Sequence, residues 1–168
     1  MKLEPLKQWI CDECGEVIDK PEHGWLEWLQ DSTTRKHKGF RIVHHKAYSP
    51  RKPDGSCYLY ESKSEARPDK LLDMHLDKVT GDAAMPFLLM FVAPMPHLRG
   101  GGGAWGVKGM KGWGELARRL TIPYYEEARL YWNMAKADGF FDGANEIWPY
   151  LPDVLKEIIR RYGEQSKS

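Results

Sequence analysis

Cysteine is scarce in this sequence, and its count is odd. Only Cys11, Cys14 and Cys57 occur among the 168 residues, which argues against a disulfide framework. No N-terminal segment combines a basic start with an apolar stretch, so the sequence gives no indication of export. These absences favour a cytoplasmic protein whose thiols remain reduced.

Long apolar runs and an excess of one charge are also missing. The longest apolar stretch, residues 83–96, contains three prolines and is shorter than the ~20 residues that a membrane-spanning helix needs. Basic and acidic residues number 25 and 24, so no global positive field attracts nucleic acid, and such binding would require a local patch. We therefore expect no membrane partner, and we expect residues 83–96 to form buried core.

Motifs of nucleotide-binding enzymes and hydrolases are absent or lack their context. Gly101, Gly103 and Gly106 match the G-x-G-x-x-G spacing, but no good strand precedes them and more glycines follow where a helix should begin. The sequence contains no Gly-Lys-Ser/Thr for a P-loop and no G-x-S-x-G for a nucleophile elbow. It therefore disfavours dinucleotide binding and excludes these two other types of site.

The first part of residues 1–99 is predicted to be a small antiparallel sheet. Residues 8–18 predict a strand, a tight turn and a second strand. Residues 24–29 and 39–48 are aromatic and β-branched runs bounded by glycine and polar residues. A turn at 49–56, rich in proline and containing Asp-Gly, then precedes a further strand at 57–61.

Helices are predicted after this sheet. Apolar side chains at helical spacing predict a helix over 68–81, and residues 83–96 predict a second, buried helix. Residues 100–114 contain eight glycines and are predicted to be a loop or linker, because glycine loses much backbone entropy in regular structure. Residues 115–163 are predicted to be helical, and 164–168 form a polar tail.

The last helix has the clearest pattern. Pro152 suits its first turn, Arg160 and Arg161 suit its last turn, and Gly163 lies beyond its end. Its apolar side chains trace one face: Leu151, Val154, Leu155, Ile158, Ile159 and Tyr162.

Cys11 and Cys14 form a Cys-x-x-Cys pair. This spacing lets two thiolates of one turn reach the same Zn²⁺ ion, which takes four ligands in a tetrahedron. No second Cys-x-x-Cys follows, so the remaining ligands must come from Cys57 and a histidine. We predict a structural zinc site formed by Cys11, Cys14, Cys57 and either His44 or His45.

Two neighbouring histidines compete for the fourth position. Successive side chains of a strand point to opposite faces, so only one of His44 and His45 is expected to enter the site. His44 shares its face with Phe40 and Ile42, and this more apolar face slightly favours His44 as the ligand.

Residues 9–18, in which Gly15 directly follows the Cys-x-x-Cys pair, resemble the knuckle of zinc-ribbon and related zinc-finger proteins. The resemblance implies a turn that holds a metal ion. Two other interpretations of the pair remain open. A redox-active pair would require a helix after the second cysteine, and a turn with buried thiols would require no metal.

The segment RIVHHKAYSP, residues 41–50, resembles the VHH segment of HNH endonucleases. In that family a strand histidine is the general base, and an adjacent residue helps to hold a divalent metal. The resemblance implies His45 as the candidate base and His44 or a downstream residue as the candidate metal ligand. The nearest downstream counterparts of the family's Asn and His are Asp69 and His75.

Residues 114–143 resemble a helix-turn-helix followed by a wing. Leu116, Ala117 and Leu120 stand at packing positions of the first helix, and Pro123 can start the second. The resemblance implies a nucleic-acid contact made through the second helix.

This second helix is predicted to have two distinct faces. Tyr124, Ala128, Tyr131 and Ala135 recur at the spacing of a core stripe. An adjacent stripe is aromatic and basic, and such side chains can stack on bases and contact phosphates. The candidate partner-binding residues are Tyr125, Arg129, Trp132, Lys136, Arg118 and Arg119. The alternative is that the aromatic stripe packs against another part of the chain.

Together these patterns predict an α+β fold, in which a small N-terminal antiparallel sheet carries the Cys-x-x-Cys knuckle and a helical C-terminal region follows. We expect a cytoplasmic, non-catalytic zinc-binding protein with a macromolecular partner, nucleic acid being slightly favoured over protein. Zinc would replace apolar core that a short sheet cannot supply. The alternatives are an HNH-like metal-dependent nuclease and a protein-interaction adaptor that binds no nucleic acid.

Overall fold

The computed structural model describes residues 2–50, 57, 68–95, 97 and 102–163. Within these ranges, small antiparallel sheets lie in the N-terminal half and helices dominate the C-terminal region. The predicted α+β class is therefore confirmed. Predictions that fall wholly or partly outside the described residues concern the turn at 49–56, the strand at 57–61, the start of the glycine-rich loop at 100–101 and the tail at 164–168.

The described strands form two antiparallel sheets. Strand β1 (Trp9–Ile10) pairs with β2 (Val17–Ile18). In the second sheet, β3 (Gly24–Gln30) lies between β4 (His37–His44) and β5 (Lys70–His75). The predicted strand–turn–strand unit and the strand predicted at the position of β3 are confirmed.

Strand β4 begins earlier and ends earlier than the predicted strand over 39–48. It ends at His44 because Lys46–Tyr48 forms a 3₁₀ turn, which His45 caps by accepting the backbone N–H of Ala47. This turn separates His44 and His45 into different environments.

The helix predicted over residues 68–81 is wrong. Strand β5 occupies the middle of this range and pairs with β3 along its full length, and a 3₁₀ turn at Leu76–Lys78 follows it. The central strand β3 is buried over most of its length and requires a hydrogen-bonding neighbour on each edge. This long-range pairing overrides the helical spacing of the leucines in β5.

Five helices occur within the described residues: α1 (Ala84–Leu89), α2 (Met110–Thr121), α3 (Tyr125–Ala128), α4 (Trp132–Ala137) and α5 (Pro152–Tyr162). The helix predicted over residues 83–96 is confirmed only in part, because α1 ends at Leu89 and Met85 and Leu89 are exposed. The predicted C-terminal helix corresponds to α5. No helix in this part of the chain combines the length and the apolar content that a membrane crossing requires.

Helix α2 begins inside the predicted glycine-rich loop. It starts at Met110, so it includes two of the glycines that predicted irregular structure, Gly112 and Gly114. Glycine costs roughly 0.5–1 kcal/mol relative to alanine inside a helix. Leu116 and Leu120 are both 3% exposed and pack into the core beneath α2, which outweighs this cost.

The predicted second helix of the helix-turn-helix is interrupted. Tyr124 has a φ of +69°, and the 3₁₀ segment Arg129–Tyr131 separates α3 from α4. Residues 138–143, which the resemblance implies to be a wing, form turns. The core stripe is confirmed in part, since Ala128 and Ala135 are fully buried.

Two apolar clusters form the interior of the described residues. The first lies between the sheets, α1 and α2, and it includes Trp9, Leu26, Ile42 and Phe91. The second lies among α3, α4 and α5 and is centred on the fully buried Leu155. The sheets therefore share one core with α1 and α2, and α3, α4 and α5 form a second core.

A buried ion-pair network joins the two cores. The Arg119 side chain, 5% exposed, donates to both carboxylate oxygens of Glu126 at 2.8 and 2.9 Å and to Asp12 at 2.6 Å. It also donates to the backbone oxygen of Ile10 at 2.9 Å, while Glu126 accepts the Ile10 N–H at 2.9 Å. Because Asp12 lies inside the Cys-x-x-Cys turn, this network fixes the knuckle against the helices.

Candidate metal centre

Three cysteines and one histidine converge beside the β1–β2 turn and the end of β4. Cys11, Cys14, His44 and Cys57 each present one ligand atom, and these atoms all lie within 4.8 Å of one another. Cys11, His44 and Cys57 are buried and Cys14 is half-buried. The chain thus forms a Cys₃His cluster that could hold a metal ion.

The knuckle geometry follows from the turn between β1 and β2. The backbone N–H of Cys11 donates to Glu16 O at 2.9 Å, and the N–H of Gly15 donates to Cys11 O at 3.0 Å. Gly15 adopts a φ of +77°, which glycine tolerates because it has no Cβ. The turn therefore holds both cysteine side chains on the same side.

A backbone carbonyl fixes the orientation of the His44 ring. The Nε2–H of His44 donates to Val17 O at 3.1 Å, which leaves the Nδ1 lone pair free to face the thiols. His44 Nδ1 lies 3.4 Å from Cys14 Sγ and 3.8 Å from Cys57 Sγ. Metal-binding histidines commonly donate their second ring N–H to such an acceptor.

These separations fit a tetrahedral ion. Zn–S bonds of about 2.3 Å and Zn–N bonds of about 2.0–2.1 Å at tetrahedral angles place neighbouring ligand atoms about 3.5–3.8 Å apart. The distances of 3.4 and 3.8 Å from His44 Nδ1 to the two sulfurs lie close to this range. All four ligand atoms lie within 4.8 Å of one another, so a modest inward movement of the side chains would surround one ion.

Burial controls the protonation of the cluster. It raises the pKa of Cys14 to about 12 and also raises the pKa of Cys57. It lowers the pKa of His44, which favours the neutral imidazole that binds metals. Thiolates in this site therefore require a compensating positive charge, and a bound cation supplies it while protons are released.

His45 lies outside the cluster, in a separate aromatic group. Its ring stacks near His75, with centroids 5.1 Å apart, and Trp25 lies 5.2 Å away. The nuclease alternative takes His45 as the base and His44 or a downstream residue as the metal ligand. His44 and His45 face different surroundings. The structure brings His44, the histidine that its apolar face favours, to the three cysteines.

The predicted partner-binding residues differ in accessibility. Tyr125 is 6% exposed and donates its hydroxyl to Glu115 at 2.7 Å. Arg119 is part of the buried network, and Arg129 joins it by donating to Glu126 at 2.9 Å. Trp132 is half-buried and stacks on Tyr150, with centroids 5.7 Å apart.

The remaining two candidates lie nearer to solvent. Lys136 is exposed, and the Arg118 guanidinium lies 4.6 Å from the centre of the Tyr150 ring. Most of the aromatic stripe thus contacts other parts of the chain, as the packing alternative describes. Lys136 and part of Arg118 remain accessible to solvent.

Sequence reasoning did not identify two groups that support the cluster. Ser49 Oγ lies 3.1 Å from Cys57 Sγ, and Val17 contributes the carbonyl that orients His44. A hydroxyl side chain eight positions before Cys57 has no distinctive pattern, and a backbone carbonyl has no sequence signature at all.

When the chain is compared with protein-family models, curated proteins and solved structures, nothing matches it in any of the three comparisons. The chemistry of the Cys₃His cluster is therefore the main guide to function.

Proposed function

We propose that the chain is a non-catalytic, cytoplasmic zinc-binding protein in which the metal stabilises the N-terminal sheets. The observation that carries the proposal is the convergence of three thiols and one oriented imidazole within 4.8 Å. Zn²⁺ prefers sulfur and nitrogen ligands in a tetrahedron, and Cys₃His is a common structural zinc set. All three cysteines are free, which suits a reducing compartment.

A structural role fits this ligand set better than a catalytic one. Four protein ligands complete the tetrahedron, whereas catalytic zinc sites keep one position for water or substrate. The cluster is largely buried, which limits access of a substrate to the ion.

A redox role for the cysteine pair fits less well. Reactive Cys-x-x-Cys pairs have lowered thiol pKa values and stand at the start of a helix. Here the pair lies between two short strands, and burial raises the pKa of Cys14.

The metal would join three separate pieces of the N-terminal region. The ligands come from the β1–β2 turn, from the end of β4 and from Cys57. Strands of two residues, such as β1 and β2, form only a short ladder of backbone hydrogen bonds. Coordination would supply folding free energy that these short elements lack.

Metal content tests this proposal directly. We expect the purified protein to contain about one Zn²⁺ per chain by elemental analysis. Replacement of zinc by cobalt should give the visible absorption of tetrahedral Co²⁺ with thiolate charge-transfer bands. Chelation should reduce the near-UV circular dichroism of the tryptophans that pack beside the cluster, since the metal stabilises that core.

Neighbouring substitutions provide a matched comparison. His44→Ala and Cys57→Ser should lose bound metal, whereas His45→Ala should retain it, because His45 is outside the cluster. Equal metal content in His44→Ala and His45→Ala would contradict the ligand assignment. Absence of metal from the wild-type chain after refolding with zinc would refute the proposal.

The proposal includes a macromolecular partner, with nucleic acid as the first candidate and protein as the second. Lys111 and Lys136 are exposed and have no ion pair among the described residues, so both are available for contacts with phosphates. Fluorescence anisotropy with single- and double-stranded oligonucleotides at several salt concentrations tests it. Binding that weakens with salt supports nucleic acid, whereas no binding at any salt concentration favours a protein partner.

A further inference from the structure

A groove of about 480 Å³ lies on the face of the three-stranded sheet that carries Trp28. Small-molecule sites typically have volumes of roughly 300–1,000 Å³. The β3–β5 register places Leu72 and Met74 on this same face, so β5 supplies an apolar wall. On another side, half-buried Trp105 stacks on His37, with centroids 5.3 Å apart and an interplanar angle of 22°.

The glycine-rich segment holds Trp105 in this position. The backbone N–H of Trp105 donates to Met90 O at 2.9 Å, and the next N–H, from Gly106, donates to Phe91 O at 2.9 Å. The His37 N–H donates to Gly106 O at 3.0 Å. These bonds connect the tryptophan wall to the residues directly after α1 and to β4, so the groove is preformed.

Buried His37 directs an N–H group toward Gln30, a neighbour in the groove lining. Trp28 Nε1, which can only donate, lies 2.8 Å from His37 Nδ1, so Nδ1 accepts and the neutral ring carries its proton on Nε2. His37 Nε2 lies 3.5 Å from Gln30 Nε2, and that amide nitrogen already donates to Arg35 O at 3.1 Å.

Two donors therefore face each other at this point. Reversing the Gln30 amide would place its oxygen against Arg35 O, which is also unfavourable. Within the part of the chain that the structure describes, the His37 Nε2–H consequently has no good acceptor. His37 is only 3% exposed, so an unsatisfied donor here is costly unless a ligand or water accepts it.

Two cations give the groove a positive rim. Arg35 and Lys70 are exposed and line the groove, and neither has an ion pair within the described ranges. Asp73 is an acidic residue of the lining, but it stands between Leu72 and Met74 on β5. Because strand side chains alternate, Asp73 points toward the opposite face of the sheet.

From this combination we infer that the groove binds a planar ring that carries a phosphate or carboxylate group. The ring lies against the apolar wall and Trp105, and an acceptor atom on it takes the His37 Nε2–H. The anionic group lies beside Arg35 and Lys70. This inference is independent of the metal centre, which uses none of these residues.

Titration of the zinc-loaded full chain with small probes tests the inference, with tryptophan fluorescence and calorimetry as readouts. Adenosine 5′-monophosphate and indole-3-carboxylate each combine a ring with an anion. Adenosine and inorganic phosphate each supply only one of these features. We expect at least one of the first two probes to bind roughly tenfold or more tightly than either of the last two, the scale of one lost charge-assisted contact.

The two ring-bearing anions distinguish a phosphorylated ligand from a carboxylate ligand. Lys70→Ala and Arg35→Asn should each weaken binding of the preferred probe about tenfold. Asparagine is chosen because Arg35 has a φ of +61°, which asparagine tolerates. Lys20→Ala is the matched control, since Lys20 is an exposed lysine outside the groove.

The inference is overturned if neither ring-bearing anion binds more tightly than phosphate and adenosine. It is also overturned if Lys20→Ala weakens binding as much as Lys70→Ala, because the contact would then be general charge attraction. The fluorescence change should be smaller in Trp105→Phe, and an unchanged signal would place the ligand elsewhere.

Discussion

Replacement of Arg119 by methionine removes the central cation between the N-terminal sheets and the C-terminal helices. Methionine keeps much of the side-chain volume and eliminates the donors to Glu126, Asp12 and the Ile10 carbonyl. The substitution leaves Glu126, whose side chain is 7% exposed, with only the peripheral Arg129 as a charged partner. A buried carboxylate is therefore partly uncompensated in the variant.

Arg119→Met is expected to lower the free energy of unfolding substantially. Removing one member of a buried ion pair typically destabilises a protein by about 3–5 kcal/mol, and the charge-assisted bond to Ile10 O is lost as well. Arg129 still contacts Glu126 at 2.9 Å, so we expect a value near the lower end, about 3 kcal/mol. Domains are commonly stable by only about 5–15 kcal/mol, so the effect is readily measured.

The pH dependence of this loss has a defined sign. Burial by itself raises the pKa of Glu126, but Arg119 outweighs it and holds the pKa below its usual value. A carboxylate with a lowered pKa contributes stability above its unfolded pKa of about 4.3, and this stability is lost as the pH falls through the folded pKa. The Arg119→Met variant should therefore lose less stability on acidification than the wild type.

Urea unfolding at neutral pH and at about pH 4, followed by tryptophan fluorescence, measures both effects. Arg160→Met is the control, because Arg160 pairs with Glu157 on the exposed side of α5 and should change stability little. A double-mutant cycle with Glu126→Gln isolates the coupling energy. A loss below about 1 kcal/mol, or additive single effects, would show that the network does not stabilise the fold as argued.

Two further predictions concern packing. Gly24→Ala should cost about 1–3 kcal/mol, because a Cβ there would lie 2.5 Å from the Leu76 side chain, whereas Gly103→Ala meets no atom within 4 Å and should be nearly neutral. Leu155→Ala should lower the free energy of unfolding by about 2–5 kcal/mol, because this side chain is fully buried. Leu151→Ala is the control and should lower it less, because Leu151 is 45% exposed. Chemical denaturation compares each pair, and equal stability within either pair would contradict the corresponding packing argument.

Local patterns predicted the parts of the fold whose contacts are close in sequence. The knuckle follows from two cysteines and a glycine within one turn, and α5 follows from periodic apolar residues between suitable terminal residues. Alternation along β4 also favoured His44, the histidine that the structure brings to the cysteines. Such features depend on spacing, which a sequence displays directly.

The aromatic and basic stripe shows where this reasoning fails. Tyr125 and Trp132 have the spacing of a surface that could stack on bases, yet the first is buried and the second packs on Tyr150. A stripe of aromatic residues has the same spacing whether it faces a partner or the protein's own core. Only the position of α5 and its preceding turn distinguishes these two cases.

The sequence by itself determined the Cys-x-x-Cys turn, the last helix and the α+β class, because these depend on residues within a few positions of one another. Tertiary structure alone decided that β5 is a strand, whereas the elimination of other cysteines had already predicted Cys57 as a partner of the knuckle. Tertiary structure also decided that Arg119 contacts the Ile10 carbonyl 109 positions away. The physical reason is that the buried backbone groups of β3 and the buried charge of Arg119 find their partners in distant parts of the chain, and local spacing does not specify those partners.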